Sequence, residues 1–514
     1  MRRIIPILIL ILISSTLFSQ EGEQLKLSLQ DSLAYAMKNN FDINISKIDF
    51  KMSEVTLESS KGIYDPQLTF DWGATVNRQP ITSLLQVGKT AFTLYQSRQD
   101  KYNLGITQLS PWGQTFSLNF SNTKSNTNST YSLFNPTYSS NLLLYTSIPL
   151  LKGFGYKNTN KTILKAKLDQ NSADYTFRKM VRNSLMDVET AYWNLVYAIE
   201  QYKVTQKALY LAKEFQKETM ARISVGTLAP IEQISADAQV AQREENLIAA
   251  ENLVINSEDV LKILLGITKE SNEWNKTIIP IDFPSVESRD YKEEEAIEEA
   301  TLKREELKEL QYNLEKTKID TKTTKINLLP SLNLESSLSY TGSAGDYYLR
   351  GTNYFVDENW NDSWDMIRGR DYKSWSVGLS FAFPIGNRGQ KYLYQNYRLI
   401  ENKAEILLEK TRQNIISEVR NAYRNLLNTE KRINAAEANL KLQMEKLNAE
   451  KKKYDNGLST SFNVLSYQND VLSAETALLK AKIDHQTALS NFEKAKGNYL
   501  NFRGIEFETV SDKN

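Results

Sequence analysis

One short block of this sequence occurs twice, and it decides how the whole chain is interpreted. Residues 187–192 read DVETAY, and residues 418–423 read EVRNAY, 231 positions later. Gly226 and Gly457 have the same separation. Because self-similarity over a long fixed distance is the mark of an internal duplication, the sequence predicts two copies of one structural unit.

Proline positions extend this duplication towards the start of each copy. Pro66 and Pro330 are 264 positions apart, whereas Pro149 and Pro384 are only 235 apart. The first copy therefore carries an insertion between its two prolines. The predicted boundaries are 1–19 for a signal peptide, 20–290 for the first copy, 291–505 for the second and 506–514 for a tail.

The two copies show one order of predicted elements: a helix, strands, a very long helix and a shorter helix. The first copy is expected to contain a helix at 28–62, strands at about 67–76 and 101–149, helices at 156–222 and 230–267, and a connector at 268–292. The second is expected to contain a helix at 293–327, strands at about 331–340 and 374–384, and helices at 390–454 and 461–498. Pro66 and Pro330 are expected to end the first helix of each copy.

The strands alternate apolar and polar residues. Residues 374–383 read SWSVGLSFAF, in which nearly every second residue is large and apolar. Runs of this length and pattern are typical of transmembrane β-strands, although a soluble β-sandwich alternates in the same way. The insertion holds two further candidate strands, around 101–109 and 114–121. They either add to the sheet or extend as an extracellular hairpin.

Aromatic residues are concentrated just before the last predicted strand. The sequence alone does not separate an extracellular loop from an upper aromatic girdle here. The residues are Tyr347, Tyr348, Tyr354, Phe355, Trp360 and Trp364.

The helices at 156–222 and 390–454 are longer than an ordinary globular domain uses. In the second, apolar residues recur three, four or seven positions apart, which is coiled-coil spacing. At 1.5 Å per residue, about 65 residues span roughly 100 Å. Gly226 and Gly457 are expected to end these helices at tight turns, because glycine permits a left-handed backbone.

Composition excludes several function classes. The chain has 514 residues, 63 Lys and Arg against 62 Asp and Glu, one His and no Cys. A net charge of +1 does not suggest a nucleic-acid partner. Without Cys there are no disulfides or thiolate sites, and a single His argues against zinc or triad chemistry. The sequence predicts no catalytic residue, no metal site and no cofactor.

The first 19 residues have the pattern of a secretory signal. Arg2 and Arg3 precede a short apolar run, and serines follow near an expected cleavage point. An N-terminal membrane anchor is the alternative interpretation. The rest of the chain has no run of 18 apolar residues, so we expect any membrane insertion to use strands closed into a barrel.

The order of elements behind a signal peptide resembles the TolC-like outer-membrane efflux protein family. Local matches include residues 148–155, IPLLKGFG, and the turns at 225–228, VGTL, and 454–458, YDNGL. The resemblance implies an α+β membrane protein: a trimeric outer-membrane β-barrel continuous with a long periplasmic α-helical, coiled-coil barrel, with two internal structural repeats per protomer. A sheet of four strands per chain would also need neighbouring copies to close it.

The implied function is an outer-membrane exit duct of a tripartite efflux or type I secretion system. Such a duct passively conducts substrates from an inner-membrane transporter and a periplasmic adaptor protein to the outside. The implied partners are two further copies of the chain, the adaptor, the transporter and outer-membrane lipid. An exported structural coiled-coil protein without a pore is the alternative. The sequence does not indicate the substrate or the class of pump.

The resemblance also implies functional residues. A channel constriction is expected at Asn463, Ser466, Asp470 and Glu232, although the first two replace acidic residues of the family and Ser459 replaces a basic one. The alternative for these positions is a solvated helix face. The expected adaptor-docking turns consist of Val225, Gly226, Thr227, Asn456, Gly457 and Leu458, unless these are turns only. The expected helix–barrel junctions are Pro66, Pro149, Pro330 and Pro384.

Overall fold

The computed structural model describes residues 24–81, 94–129, 131–284, 291–348 and 354–505. The predicted signal peptide and the tail at 506–514 lie outside these residues. The chain divides into two compact units. A sheet unit comprises Asp49–Thr176 and Glu306–Thr411, and a helical unit comprises the described residues up to Ile48, Phe177–Glu305 and the chain from Arg412 onward.

The sheet unit contains one six-stranded antiparallel sheet in the order β10-β7-β5-β4-β3-β2. Its strands are β2 (Gln67–Pro80), β3 (Leu94–Leu109), β4 (Thr115–Thr127), β5 (Thr137–Pro149), β7 (Ser331–Gly345) and β10 (Lys373–Ala382). The question left open for the insertion is thereby answered, since β3 and β4 lie inside the sheet between β2 and β5.

The register of this sheet creates one apolar face. An unbroken row of large apolar side chains crosses all six strands: Leu68, Ile106, Leu118, Leu144, Leu338 and Trp375. The neighbouring row on the opposite face contains Thr69, Asn119 and Ser339. Every residue of β10 and nearly every residue of β2 is exposed, so the described residues leave both edges of the sheet uncovered.

A short helix and a small ribbon complete the connection between β7 and β10. The ribbon pairs β8 (Tyr347–Tyr348) with β9 (Phe355–Val356), and the helix is α8 (Trp360–Gly369). Asn359 and Asp362 form a capping box at the start of α8. The Asn359 side chain accepts from a backbone N–H of the first turn, and the Asp362 side chain accepts from the backbone N–H of Asn359. The aromatic residues singled out in the sequence are therefore partly helical.

The remaining elements are mostly helices. They are α1 (Leu29–Asn39), α2 (Phe41–Ser60), α3 (Tyr156–Thr159), α4 (Lys161–Ser224), α5 (Ile231–Leu265), α6 (Glu293–Lys303), α7 (Glu305–Ile326), α9 (Arg388–Asp455), α10 (Ser461–Lys496) and α11 (Tyr499–Phe502). None of the helices in the described part of the chain is both long and apolar enough to cross a membrane.

Two predicted helices are each divided in two. The helix expected at 28–62 breaks at Asn40, and the helix expected at 293–327 breaks at Arg304, because both residues have extended backbone angles. The long helix expected from 156 begins at Lys161, after the separate turn of α3. Tertiary contacts of Asn40 and Arg304, described below, account for the two breaks.

The connector expected at 268–292 is not wholly irregular. It contains β6 (Thr277–Pro280), which pairs in parallel with β1 (Gln24–Leu27) at the start of the described chain. The Tyr192 hydroxyl of α4 lies 3.2 Å from the carbonyl oxygen of Leu27 and 2.9 Å from Asp282 Oδ2, so its single proton is shared between these two acceptors. This ribbon covers the core of the helical unit, where Leu33, Leu185 and Leu261 are fully buried.

Candidate functional site

The predicted docking turns are the tips of two helical hairpins in the helical unit. Gly226 follows α4 with φ of 79°, and Gly457 follows α9 with φ of 75°. In each turn the next residue donates back into the last turn of the helix: Thr227 N to Arg222 O at 2.9 Å and Leu458 N to Lys453 O at 2.8 Å. This backbone conformation strains any residue with a Cβ, which explains both glycines.

Apolar side chains at these tips point into open space. Val225 is 72% exposed and Leu458 is 79% exposed. A Cβ added to either turn glycine would meet no atom within 4 Å. The tips therefore have room and apolar surface for a contact outside the chain.

Behind the tips, the two hairpins pack against each other. Tyr454 of α9 is buried beside Phe215 of α4, with ring centroids 5.9 Å apart, and Val464 and Leu465 complete the cluster. The guanidinium of Arg222 lies 4.7 Å from the ring centroid of Tyr454. This cation–π contact and the cluster hold the two hairpins together near their ends.

A polar network stabilises the second hairpin. Ser459 donates to one oxygen of Glu450 at 2.6 Å, and Lys453 donates to the other at 3.2 Å. The Ser459 hydrogen bond, helped by the Lys453 ammonium, holds the pKa of the Glu450 carboxyl below its usual value despite burial. Asn463 joins this network, since its side-chain nitrogen lies 3.4 Å from Ser459 Oγ. Thr460 caps α10 by accepting from the backbone N–H of Asn463.

The four predicted constriction residues are not joined to one another. Asp470 Oδ2 forms a salt bridge with Lys446 Nζ at 3.0 Å. The same ammonium lies 3.8 Å from the ring centroid of Tyr467. Ser466 and Glu232 are half-buried. Among the described residues, no hydrogen bond or ion pair links Glu232 to the three residues on α10.

Sequence reasoning missed Arg222 and Glu450 as residues of the tip, and it included Tyr454 only as the first residue of the turn at 454–458. Their signal was present, because Tyr454 precedes Gly457 by three positions and Glu450 precedes Tyr454 by four, which places both on one helix face. The replacement of the family's basic residue by Ser459 was noticed. The hydrogen bond from Ser459 to Glu450 depends on the turn geometry, which the spacing alone did not reveal.

The predicted junction prolines lie where helical segments and the sheet meet along the chain. Pro66 immediately precedes β2, and Pro149 is the last residue of β5, opposite Asn333. Pro330 precedes β7 and accepts a hydrogen bond from Lys152 N at 3.3 Å. Pro384 follows β10 and accepts one from Asn387 N at 3.1 Å. All four mark ends of strands, where a missing N–H donor is tolerated.

A family model described as outer membrane efflux protein matches residues 114–267 and 296–498. The chain belongs to the outer membrane efflux protein family. Its members are passive channels, so the protein is an outer-membrane efflux channel and not an enzyme. It is localised to the outer membrane with a large periplasmic helical part. No curated protein matches the sequence closely enough to count as a relative.

Solved structures of outer-membrane channels have a similar fold. OprN shares 16% identity at a TM-score of 0.67, covering 91% of this chain and 90% of that one. CmeC of Campylobacter jejuni shares 17% identity at a TM-score of 0.66, covering 95% and 88%. MtrE of Neisseria gonorrhoeae, solved in its open state, shares 16% identity at a TM-score of 0.62, covering 92% and 89%. At these low sequence identities, the comparison shows that this efflux protein shares the fold of the solved channels.

Proposed function

We propose that three copies of this chain form one exit duct of a tripartite efflux or type I secretion system. Their sheets close a single β-barrel in the outer membrane, and their long helices form a helical barrel in the periplasm. The duct conducts substrates passively from an inner-membrane transporter and a periplasmic adaptor protein to the outside. The observation that carries this proposal is a sheet with one apolar face and two uncovered edges.

Closure by neighbouring copies satisfies both features of the sheet. Lipid does not tolerate unpaired backbone groups at a strand edge, so β10 of one copy must pair with β2 of the next. Six strands alone are too few for an open lumen, since about eight strands are filled by their own side chains. Three copies give eighteen strands. At ordinary strand spacing and tilt this is a barrel of about 35 Å diameter.

Matched contacts in the helical unit support two structural repeats per protomer. Asn40 Nδ2 donates to the carbonyl of Leu264 at 2.7 Å, and Arg304 Nη1 donates to the carbonyl of Ala495 at 3.1 Å. The donors are 264 positions apart and the acceptors 231, the two separations found in the sequence. Both donors lie at a helix break and both acceptors near a glycine-capped helix end. These contacts favour a first repeat at 20–290 and a second at 291–505.

We place the channel constriction at Asn463, Ser466, Asp470 and Glu232. Lys446 pairs with Asp470, and Asn463 and Ser466 carry no charge, so Glu232 supplies most of the acidic charge of this constriction. The junction prolines Pro66, Pro149, Pro330 and Pro384 are assigned to the transition between helical and β-barrels. The alternative, a structural coiled-coil protein without a pore, gives no role to the apolar sheet face.

The adaptor is proposed to dock on the turns formed by Val225, Gly226, Thr227, Asn456, Gly457 and Leu458. The exposed Val225 and Leu458 side chains support this, as does the open space around both glycines. Photo-crosslinkers at Thr227 and Leu458 should capture the adaptor in cells, whereas one at Lys410, far along α9, should not. Absence of crosslinks at both tips would rule out docking there.

Single-channel recording and mass measurement test the duct itself. The purified protein should have the mass of three chains in detergent and conduct ions in planar bilayers. Asn463→Ala combined with Ser466→Ala should raise the conductance, because two side chains per copy are shortened at the narrowest point. An unchanged conductance would place the constriction elsewhere, and a non-conducting protein of monomer mass would contradict the duct.

A further inference from the structure

The helix α8 lies on the apolar face of the sheet. It packs against β5 and β7, and the backbone of Ser363 approaches Gly342 so closely that an added Cβ would lie 2.8 Å from its carbonyl carbon. Gly342 pairs with Ser140, and Ser140 pairs with Asn122, all on the same face as the apolar row. The contact therefore covers part of the face that the proposed function turns towards lipid.

The helix α8 covers the level at which, along the strands, apolar side chains on this face are followed by polar ones. Along β4, Phe116, Leu118 and Phe120 are followed on the same face by Asn122. Asn122 is buried, and its side-chain oxygen accepts from Trp364 Nε1 at 2.9 Å and from Ser140 Oγ at 2.8 Å. An amide that faces hydrocarbon without hydrogen-bond partners is strongly disfavoured, because it loses its hydrogen bonds to water. The helix thus supplies the partner that lipid lacks.

Two indoles of α8 sit along this boundary. Trp364 packs against Phe120 with ring centroids 6.0 Å apart, and Trp360 packs edge-on against Tyr138 at 5.0 Å and Tyr102 at 6.4 Å. Tryptophan has an apolar body and a polar N–H, and it accumulates where hydrocarbon meets headgroups. The level of the sheet where apolar residues give way to Asn122 therefore carries tryptophan and tyrosine side chains, which favour a membrane interface.

The opposite side of α8 is polar and exposed. Asn361, Asp365 and Arg368 all face outward, and Arg368 pairs with Asp365 at 2.6 Å. The paired charges give this side no strong preference for anionic groups. The helix has the amphipathic form of a segment that lies flat at a membrane surface.

We propose that α8 is an interfacial helix that binds the headgroup layer of the outer leaflet and fixes the depth of the barrel in the membrane. The proposal rests on the proposed function, in which the apolar face contacts lipid. On β7 the band then begins at Leu332 and ends at Tyr340, and the residues of this face between them are apolar except Ser336. These nine tilted residues span about 21 Å, close to the height of about 25 Å of a barrel's apolar band. The residues of β3 and β7 beyond this level stand outside the bilayer.

Depth measurements on single-cysteine variants test this placement, and the natural chain has no Cys to interfere. Spin labels are attached at Leu144→Cys in the apolar row, Asn361→Cys on α8 and Tyr131→Cys in the exposed segment after β4. The full protein is reconstituted in vesicles of outer-membrane lipid, and collision with oxygen is compared with collision with a water-soluble nickel chelate. We expect oxygen to dominate at position 144, nickel at position 131, and an intermediate ratio at position 361.

The outcomes separate this proposal from the proposed function. A label at position 361 that matches position 131 would mean that α8 stands in water, and one that matches position 144 would mean that it is immersed in hydrocarbon. Either result overturns the interfacial helix while leaving the barrel intact. Nickel dominance at position 144 would instead overturn the membrane placement of the sheet.

A second variant tests whether contact with the sheet holds α8 in place. Gly342→Ala should displace the helix, so the ratio at position 361 should shift towards that at position 131 while position 144 is unchanged. Gly378→Ala on β10 is the matched control, since its added Cβ meets no atom within 4 Å. An unshifted label in Gly342→Ala would show that the helix is not seated through Gly342.

Discussion

Arg503 Nε lies 3.0 Å from Glu189 Oε2, and the two residues are 314 positions apart in the sequence. The Glu189 side chain is 1% exposed and also accepts hydrogen bonds from Ser490 and from Tyr499, the latter at 2.8 Å. The ion pair therefore attaches the last described turn of the chain to the middle of α4. Every oxygen of this buried carboxylate has a partner, which is what makes its burial tolerable.

Replacing Glu189 should strongly destabilise the helical unit. Glu189→Gln leaves the Arg503 guanidinium largely buried without its counter-charge, which typically costs about 3–5 kcal/mol. Denaturant titrations followed by far-ultraviolet circular dichroism would measure this loss. Glu200→Gln is the control, because its pair with Lys203 is more exposed and should contribute less than about 1 kcal/mol. Equal effects of the two variants would show that the buried cluster is not a stabilising contact.

The single histidine should make the helical unit less stable in mild acid. His485 is 4% exposed, and its Nδ1 lies 3.1 Å from Thr429 Oγ1. Burial lowers the pKa of His485, and the nearby Glu430 carboxylate opposes this only in part. Below about pH 6.5 the unfolded chain binds a proton that the folded chain does not, so stability falls as the pH falls.

This pH effect can be separated from that of the carboxylates by comparison with His485→Gln. The denaturation midpoint should drop between pH 7.5 and pH 5.5 in both proteins, but by less in the variant. Because the chain has no other histidine, the difference reports on this side chain alone. Identical drops would mean that His485 titrates as freely in the folded chain as in the unfolded one.

Two glycines with similar backbone angles should differ in their tolerance of alanine. Gly226 has φ of 79° with open space around it, so Gly226→Ala should cost only the left-handed strain of about 1–2 kcal/mol. Gly266 has φ of 74°, but an added Cβ there would also collide with the backbone carbonyl of Asn39. Gly266→Ala should therefore lower the thermal unfolding temperature more than Gly226→Ala. The reverse order would contradict the close packing of α1 on the end of α5.

Adding acidic residues to the proposed constriction should change its response to cations. In a trimer, Asn463→Asp with Ser466→Asp adds six carboxylates to those of Glu232 and Asp470. We expect trivalent cations to block single-channel current in this variant at lower concentrations than in the natural protein. Asn463→Ala with Ser466→Ala controls for the change in size. Equal block of the variant and the natural channel would mean that positions 463 and 466 do not line the narrowest point.

The paired sequence blocks predicted the order of the helices and strands, whereas the contacts between distant segments could not be predicted. Alternating residues placed β2, β7 and β10, and glycine positions gave the ends of α4 and α9. The breaks at Asn40 and Arg304 escaped detection, because they depend on hydrogen bonds to the carbonyls of Leu264 and Ala495. The strand β6 was missed because its four residues carry no periodicity until β1 pairs with them.

For the candidate site, the sequence located the turns but not the residues that hold them. The glycines Gly226 and Gly457 were evident from their spacing. The packing of Arg222 on Tyr454 and the hydrogen bond from Ser459 to Glu450 arise only when two hairpins meet. The capping box of Asn359 and Asp362 is visible in the sequence and predicts the start of a helix. The sequence analysis interpreted this segment instead from its aromatic residues, as a loop or a girdle.

The hairpin of β3 and β4 sets a rule for how the width of such a duct can evolve. An antiparallel sheet can gain strands only in pairs, because a single extra strand would send the chain out on the wrong side. In the proposed trimer, threefold symmetry counts each pair three times, so the circumference grows by six strands at once. One hairpin takes the proposed barrel from about 24 to about 35 Å across, with no intermediate size accessible. The strand number of the proposed barrel therefore changes only in steps of six, while the narrowest point of the duct, placed at Asn463 and Ser466, is left unchanged by the added hairpin.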